Sequence, residues 1–241
     1  MLSLKALKKI VFAAALAGSA AGLLLTGVQK IQVSPIILKA EVYEDAAAAQ
    51  AVQADSPAAA AAHHEHDEHD EHEHGGWQPA NGGERTLFTA LANVSLAVGF
   101  GLLLGAAICL RGAASGWGSG LLWGLAGYAV FFVAPSLGLP PEVPGAAAAP
   151  LADRQIWWLI AVLTTAAGLS LLVFARNWKL KLLGAVLLGT PHLIGAPQPQ
   201  VDGGAAPIEL AHAFVYATAI ANAVFWLALG GLMGFFYKKL A

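Results

Sequence analysis

The 241-residue chain is short of charge and has almost no cysteine. Only 12% of its residues are charged, whereas 57% are hydrophobic, and the mean hydropathy is +0.63. The single cysteine, Cys109, excludes an internal disulfide framework and metal sites built from cysteine pairs. Its place at the end of an apolar block predicts a small buried hydrophobe. No basic patch of the kind that holds nucleic acid is present, so we expect no nucleic-acid partner.

Motifs for nucleotide chemistry and hydrolysis are also missing. No Gly-rich loop leads into Gly-Lys-Ser/Thr, which excludes ATP hydrolysis by that route, and neither HExxH nor GxSxG occurs. We therefore predict that the chain is not an enzyme and has no permanently bound cofactor. A membrane-embedded, metal-dependent hydrolase is the weakest alternative because no catalytic set can be recognised.

Long apolar blocks dominate the sequence, and they predict an all-α polytopic integral membrane helix bundle with about six spans. The fifth block is the shortest. The first could be a signal peptide, because three lysines precede its apolar core. That core runs about 19 residues, longer than the usual signal core of about 7–15, which favours an uncleaved helix. Five spans remain if the first block is cleaved or the fifth does not cross. The blocks are Ile10–Val28, Leu87–Leu110, Trp117–Gly138, Ile156–Ala175, Leu180–Gly195 and Glu209–Tyr237.

The blocks divide the chain into three parts. Between the first two blocks, residues 33–45 have enough apolar content to fold against the membrane, whereas the Ala, Gly and polar bias of residues 46–84 predicts a flexible tether. The three parts are a first transmembrane helix or signal (1–29), an external segment (30–86) and a transmembrane bundle (87–241) with an outer Pro-rich loop (135–154).

Lysine and arginine predict the orientation through the positive-inside rule. With a cytoplasmic N-terminus and six spans, nine basic residues lie inside and four outside. All fifteen Asp and Glu residues then fall on the outer side or at an outer helix end, and this carboxylate surface suits cations. The inner set is Lys5, Lys8, Lys9, Arg111, Arg176, Lys179, Lys181, Lys238 and Lys239, and the outer set is Lys30, Lys39, Arg85 and Arg154.

The external segment contains HHEHDEHDEHEH, residues 63–74. Imidazole and carboxylate are ligands for divalent first-row metal ions, and a flexible run of them would bind several ions loosely. Binding would weaken as pH falls through the range in which imidazole takes up a proton, near about 6.5. The alternative is a solvated polar tract without a role. The predicted tether ligands are His63, His64, His66, His69, His72, His74, Asp67 and Asp70.

The start of the last block carries a second group of polar side chains. Glu209, His212 and Tyr216 are spaced i, i+3, i+7 and share one helix face, and Glu-x-x-His is a spacing that helical bundles use for metals. Thr218 and Asn222 form a second polar pair on the opposite side. Ionisable groups at a span predict function. The alternatives are a first-turn acid favoured by the helix dipole for Glu209 and an interhelical hydrogen bond for Asn222.

A third candidate follows Pro191, which interrupts the fifth block and frees the backbone carbonyl near Leu187. In a six-span topology, His192 lies at the same outer level as Glu209 and His212. Two imidazoles and a carboxylate at one level predict an open divalent-ion site. The alternative is that His192 only hydrogen-bonds the loop.

Glycine pairs and tryptophans predict how the bundle packs. Trp157 and Trp158 occupy the position expected of an interfacial aromatic belt. GxxxG spacing lets helix backbones approach closely. It occurs at Gly101/Gly105, at Gly116/Gly120/Gly124 and at Gly230/Gly234.

Four motifs together carry a family resemblance: VSPIILKAEVYE, PSLGLPPEVPG before DRQIWW, TPHLIGAPQP and ELAHAFVYATAIANAVFW. They resemble the CbtA family, the proposed membrane subunit of a cobalt transporter. The resemblance implies a bacterial inner-membrane protein linked to cobalamin supply. It also implies cobalt as the ion, a small single-span partner with histidines (CbtB) and five spans.

We therefore predict uptake of a divalent transition-metal cation, with cobalt favoured, through a multi-pass protein whose N-terminus is cytoplasmic and whose tether is periplasmic. A nickel or zinc transporter and a membrane metal sensor or scaffold that transports nothing are the alternatives. Besides membrane lipid, the predicted partners are a CbtB-like protein and further copies of the chain.

Overall fold

A computed structural model describes residues 4–54, 79–112, 116–199 and 203–240. Within these ranges the chain forms seven helices and an isolated β-bridge between Ala146 and Gly204. The predicted all-α membrane bundle is confirmed. The helices are α1 (Leu4–Gln32), α2 (Ser34–Ala54), α3 (Gly83–Arg111), α4 (Trp117–Ser136, with a π-helical segment at Ala129–Val133), α5 (Leu151–Phe174), α6 (Trp178–Ile194) and α7 (Ile208–Lys239).

Five helices, α1, α3, α4, α5 and α7, are long and apolar enough to span a membrane. The predicted fifth span, α6, has 17 residues, or about 26 Å, slightly less than a hydrocarbon core of about 30 Å. It nevertheless runs antiparallel along α5. Gly168 packs on Gly184, and Trp157 Nε1 donates to the carbonyl oxygen of Pro191 at 3.3 Å. The α6 helix therefore returns the chain to the end of the bundle at which α5 begins.

Loop contacts define that end of the bundle. Ala146 pairs with Gly204, and Gly138 lies against the side chains of Trp157 and Ala196. The loop after α4 and the loop after α6 therefore lie together, beside the first turns of α5 and α7. All described acids lie at this end, which we call the acidic end: Glu41, Glu44, Asp45, Glu84, Glu142, Asp153 and Glu209.

At the opposite, basic end, cations pack on aromatic rings. Lys9 Nζ lies 3.9 Å from the centroid of the Tyr237 ring, and the Arg111 guanidinium lies 4.7 Å from that of Phe174. Cys109, predicted to be buried, is half-buried there. The described acids and the nine bases of the predicted inner set thus separate in the structure into the two sides that the sequence predicts. The basic end holds Lys5, Lys8, Lys9, Arg111, Arg176, Lys179, Lys181, Lys238 and Lys239.

The first helix packs between α3 and α7. A Cβ atom at Gly18 or Gly22 would overlap the backbone of Val98 or Val94 on α3, so the two helices touch through their main chains. Small residues permit this approach, which maximises van der Waals contact in lipid. Removing α1 as a signal peptide would strip the bundle of a packed core helix.

The α4 and α7 helices approach each other just as closely. A Cβ at Gly120 would overlap the carbonyl oxygen of Gly230, and Gly124 and Gly234 complete the contact. The predicted close approach at these GxxxG pairs is therefore present in the fold. Next to it Trp226 is fully buried.

The structure differs from the tether predicted at residues 46–84 at both of its edges. Residues 46–54, assigned to a flexible tether, continue α2 as helix, and α3 begins at Gly83, before the predicted end of the tether. The alanines of residues 46–54 explain the first difference, because alanine has the highest intrinsic helix propensity. The His/acid run at 63–74 lies outside the described residues.

Candidate metal site at the acidic end

Three predicted site residues lie on the first turns of α7. Glu209 and His212 are exposed, and Tyr216 is 71% exposed. Farther along the same face, small residues pack against α4, where Tyr128 donates to the carbonyl oxygen of Ala219 at 3.1 Å. The polar outer half of this face therefore remains open, whereas its small-residue half packs on another helix.

His192 lies on the last turn of α6 and is also exposed. Its ring meets the indole of Trp157 edge-on, with centroids 6.2 Å apart. The same indole donates to the carbonyl oxygen of Pro191. Trp157 is only 4% exposed, so its prediction as a belt residue was wrong: the α5–α6 contact buries it, whereas Trp158 is 39% exposed.

The acidic end therefore gathers His192, Glu209 and His212 at one level, but on helices that do not pack on each other. The α6 helix packs on α5, and α7 packs on α1 and α4. Across the part of the chain that is described, no group of three or more His, Cys, Asp or Glu side chains is placed to hold a metal ion. The three side chains do not form a preassembled site here.

A shallow cavity of about 440 Å³ lies between the start of α7 and α2. Its lining includes Glu209 on α7 and Lys39, Val42 and Tyr43 on α2. The α2 helix follows α1 in the chain, and eight residues separate its last residue, Ala54, from the His/acid run. The start of α7 is thus the part of the predicted site that lies beside the helix leading to the tether.

The side chains of Asn222 and Thr218 donate hydrogen bonds to backbone carbonyl oxygens of their own helix. Asn222 Nδ2 donates to the Thr218 carbonyl oxygen at 2.9 Å, and the Thr218 hydroxyl donates to that of Phe214 at 2.8 Å. The interhelical hydrogen bond considered for Asn222 is therefore replaced by one within α7. Among the five predicted bundle residues, Asn222 lies deepest along α7.

A buried polar cluster between α1 and α3 was missed by the sequence analysis. Asn93 is 9% exposed and donates through Nδ2 to the Thr26 hydroxyl at 3.0 Å and to Gln29 Oε1 at 2.7 Å. The Thr26 hydroxyl in turn donates to the carbonyl oxygen of Gly22 at 2.9 Å. An amide within an apolar block was the available signal, because polar groups inside a span are costly unless they are paired.

Above this cluster, a cavity of about 250 Å³ opens between α1, α2 and the start of α3. Arg85 lies on its wall and binds Glu41 of α2 through both guanidinium nitrogens, the longer contact being 3.1 Å. A paired guanidinium and carboxylate hold α2 against α3 with defined geometry. Lys30, Thr86 and Thr89 also line this cavity.

Comparison with known proteins supplies a family. The family model of CbtA, described as a probable cobalt transporter subunit, matches residues 7–238. Neither the comparison with curated proteins nor that with solved structures gave a match. The match extends from the second turn of α1 to the last turn of α7, and so includes every described helix. The chain belongs to the CbtA family.

Proposed function

We propose that the chain admits a divalent transition-metal cation, Co²⁺, across the bacterial inner membrane from its acidic end. Membership in a family of probable cobalt transporter subunits supports a transport role for this multi-pass membrane protein. The observation that carries the direction is the segregation of charge, with all described acids at one end and nine of the thirteen basic residues at the other.

The positive-inside rule supports a cytoplasmic basic end and a periplasmic acidic end. An inward-moving divalent ion would then gain about 4.6 kcal/mol per 100 mV of membrane potential. Carboxylates concentrated at the entry side raise the local concentration of cations. The His/acid run would add a further, low-selectivity collector at this side.

In this proposal ions pass from the tether to the rim of the bundle. His212 and Glu209, beside α2, are the first receivers, and His192 is a third ligand from the α5–α6 hairpin. Because the three are exposed and not preassembled, binding there is weak and reversible, as a conducting path requires. Tyr216 and Asn222 flank the path along α7.

Membership in a family of probable transporter subunits supports a partner protein. We propose a small single-span protein with its own histidines, of the CbtB type, and association of further copies of the chain is compatible with it. Such a partner would supply the ligands that complete the rim site.

Uptake of radioactive Co²⁺ into vesicles, with and without an imposed inside-negative voltage, tests the function. The full chain, together with the single-span partner, should accumulate Co²⁺ faster when voltage is applied. Competition by Ni²⁺ and Zn²⁺ separates the three metals. Voltage-independent retention of Co²⁺ that empty vesicles lack would instead identify a sensor or scaffold, and would contradict transport.

A further inference from the structure

A large apolar cavity of about 590 Å³ lies in the basic half of the bundle, between α3, α4, α5 and α7. It arises because the backbone of α5 packs on the last part of α4, residues Ala129–Ser136, and diverges from the part before it. The α5–α6 hairpin thus joins the bundle near the acidic end and leaves a wedge open towards the basic end.

Aromatic rings form the floor of this wedge at mid-depth. The Phe131 ring stacks on the indole of Trp226 with centroids 5.4 Å apart and an interplanar angle of 7°. The Phe100 ring lies 4.8 Å from the same indole. The apolar walls of this cavity offer water few hydrogen-bond partners.

Arg111 lies at the mouth of the wedge, on the last turn of α3. From Phe100 at the floor to Arg111 at the mouth, α3 rises about 16 Å, close to the half-thickness of about 15 Å of a hydrocarbon core. The cavity therefore runs from the level of the lipid headgroups to the middle of the bilayer. Its depth is that of one leaflet.

The charge at the mouth is not balanced by a carboxylate. Arg111 packs on the Phe174 ring, and every acid in the described ranges lies at the opposite end of the bundle. Ser119 and Ser170 also line the cavity, and the Ser170 hydroxyl donates to the carbonyl oxygen of Ala166. A guanidinium above an apolar cavity complements a phosphate that carries an acyl chain.

We propose that this wedge is a binding site for an anionic phospholipid, with one acyl chain between α3, α4 and α5 and the phosphate on Arg111. The length of the cavity, its apolar walls and the unbalanced cation at its mouth all fit this occupant. The lipid fills the gap beside the hairpin and so holds α5 and α6 against the bundle. The proposal is independent of the transported ion.

The test measures which phospholipids the full chain retains after extraction from vesicles of phosphatidylcholine with a minor fraction of phosphatidylglycerol. Native mass spectrometry counts the bound lipids. We expect phosphatidylglycerol to be enriched over its share in the vesicle. Arg111→Gln should lower that retention on the order of fivefold, Arg111→Lys should restore most of it, and Lys181→Gln, at an exposed cation of the same end, should change nothing.

Adjacent alanines of α5 give a matched pair for the acyl chain. Ala166 lines the cavity, whereas Ala167 is exposed on the other side of the helix. Ala166→Phe should abolish retention of both lipids, and Ala167→Phe should retain them as the parent does. Size-exclusion profiles check that each variant is folded.

Equal retention of the two lipids by the parent, equal effects of Arg111→Gln and Lys181→Gln, or unchanged retention in folded Ala166→Phe would each overturn the proposal. Absence of bound phospholipid from the parent would also overturn it, and would indicate that a protein helix occupies the wedge.

Discussion

The ammonium nitrogen of Lys9, near the start of α1, lies 3.9 Å from the centroid of the Tyr237 ring, near the end of α7. The start of α1 and the end of α7 thus lie at the same end of the bundle. A chain that begins and ends on the same side crosses an even number of times, whereas five helices meet the length and hydropathy expected of a span. We therefore predict that the short α6 provides the additional passage.

Labelling of single cysteines, introduced in a Cys109→Ser background, tests whether the chain crosses the membrane an even number of times. Asn177, between α5 and α6, and Leu240 should react only with reagent supplied from the cytoplasm, because both lie at the basic end. Gly203 and Glu44, at the acidic end, should react only from the periplasm. Labelling of Asn177 and Gly203 from the same side would show that α6 does not cross.

Glycine substitutions test the packing of α1 against α3. Gly22→Leu should destabilise the protein by about 1–3 kcal/mol, the usual cost of overpacking, because its side chain would enter the backbone of α3. Gly27→Leu is the matched control, since Gly27 faces open space. Thermal stability of the purified protein is the measurement, and intact mass shows whether α1 is present. A mature protein lacking α1 would contradict the prediction.

The same design tests the α4–α7 contact. Gly120→Leu should prevent the close approach to Gly230 and lower the melting temperature, whereas Gly118→Leu, two residues away in open space, should leave it within a degree or two. Equal effects of the two substitutions would mean that α4 does not pack on α7 through its glycines.

The buried Asn93 gives a smaller expected effect. Asn93→Leu removes two hydrogen bonds between α1 and α3. Such bonds contribute on average about 0.6 kcal/mol and at most about 1.7 kcal/mol in a membrane bundle. Thermal unfolding should therefore shift slightly, while Ser95→Leu, on the exposed face of α3, provides the baseline. A loss of folding would indicate a larger role for this cluster.

Uptake measurements should distinguish the role of the tether from that of the rim residues His192, Glu209 and His212. Deleting residues 63–74 should reduce Co²⁺ uptake at low external metal and leave it nearly unchanged at high metal, because a collector acts by local concentration. Parent uptake at low metal should fall between about pH 7.5 and 5.5 as imidazoles bind protons. The deletion variant should lose most of that pH dependence, and an unchanged pH profile would contradict a collecting role.

The role of the rim side chains is tested by comparing the uptake of matched variants at high external metal. Glu209→Gln and His212→Ala should each lower uptake on the order of tenfold, corresponding to about 1.4 kcal/mol of lost interaction. Asp153→Asn, an exposed first-turn acid at the same end, should have little effect. Equal losses in Glu209→Gln and Asp153→Asn would reduce Glu209 to one member of a general acidic surface.

Some features of the protein can be predicted from composition. Others depend on which helices are neighbours, and the sequence does not give that. Alanine-rich residues 46–54 looked like a tether, although their helix propensity was readable from the sequence. Trp157 looked interfacial until the α5–α6 contact buried it. His192, Glu209 and His212 were expected at one level, which connectivity alone can predict, but connectivity does not say whether two helices at that level are neighbours.

The amino-acid sequence by itself determined the apolar segments and the segregation of acids from bases, because both express the local cost of placing each residue in lipid or water. Only the tertiary structure decided that α1 packs between α3 and α7, that α5 pairs with α6, and that a wedge opens beside Arg111. In lipid, helices choose partners by the shape of their surfaces rather than by hydrophobicity, so pairing depends on three-dimensional fit between distant segments.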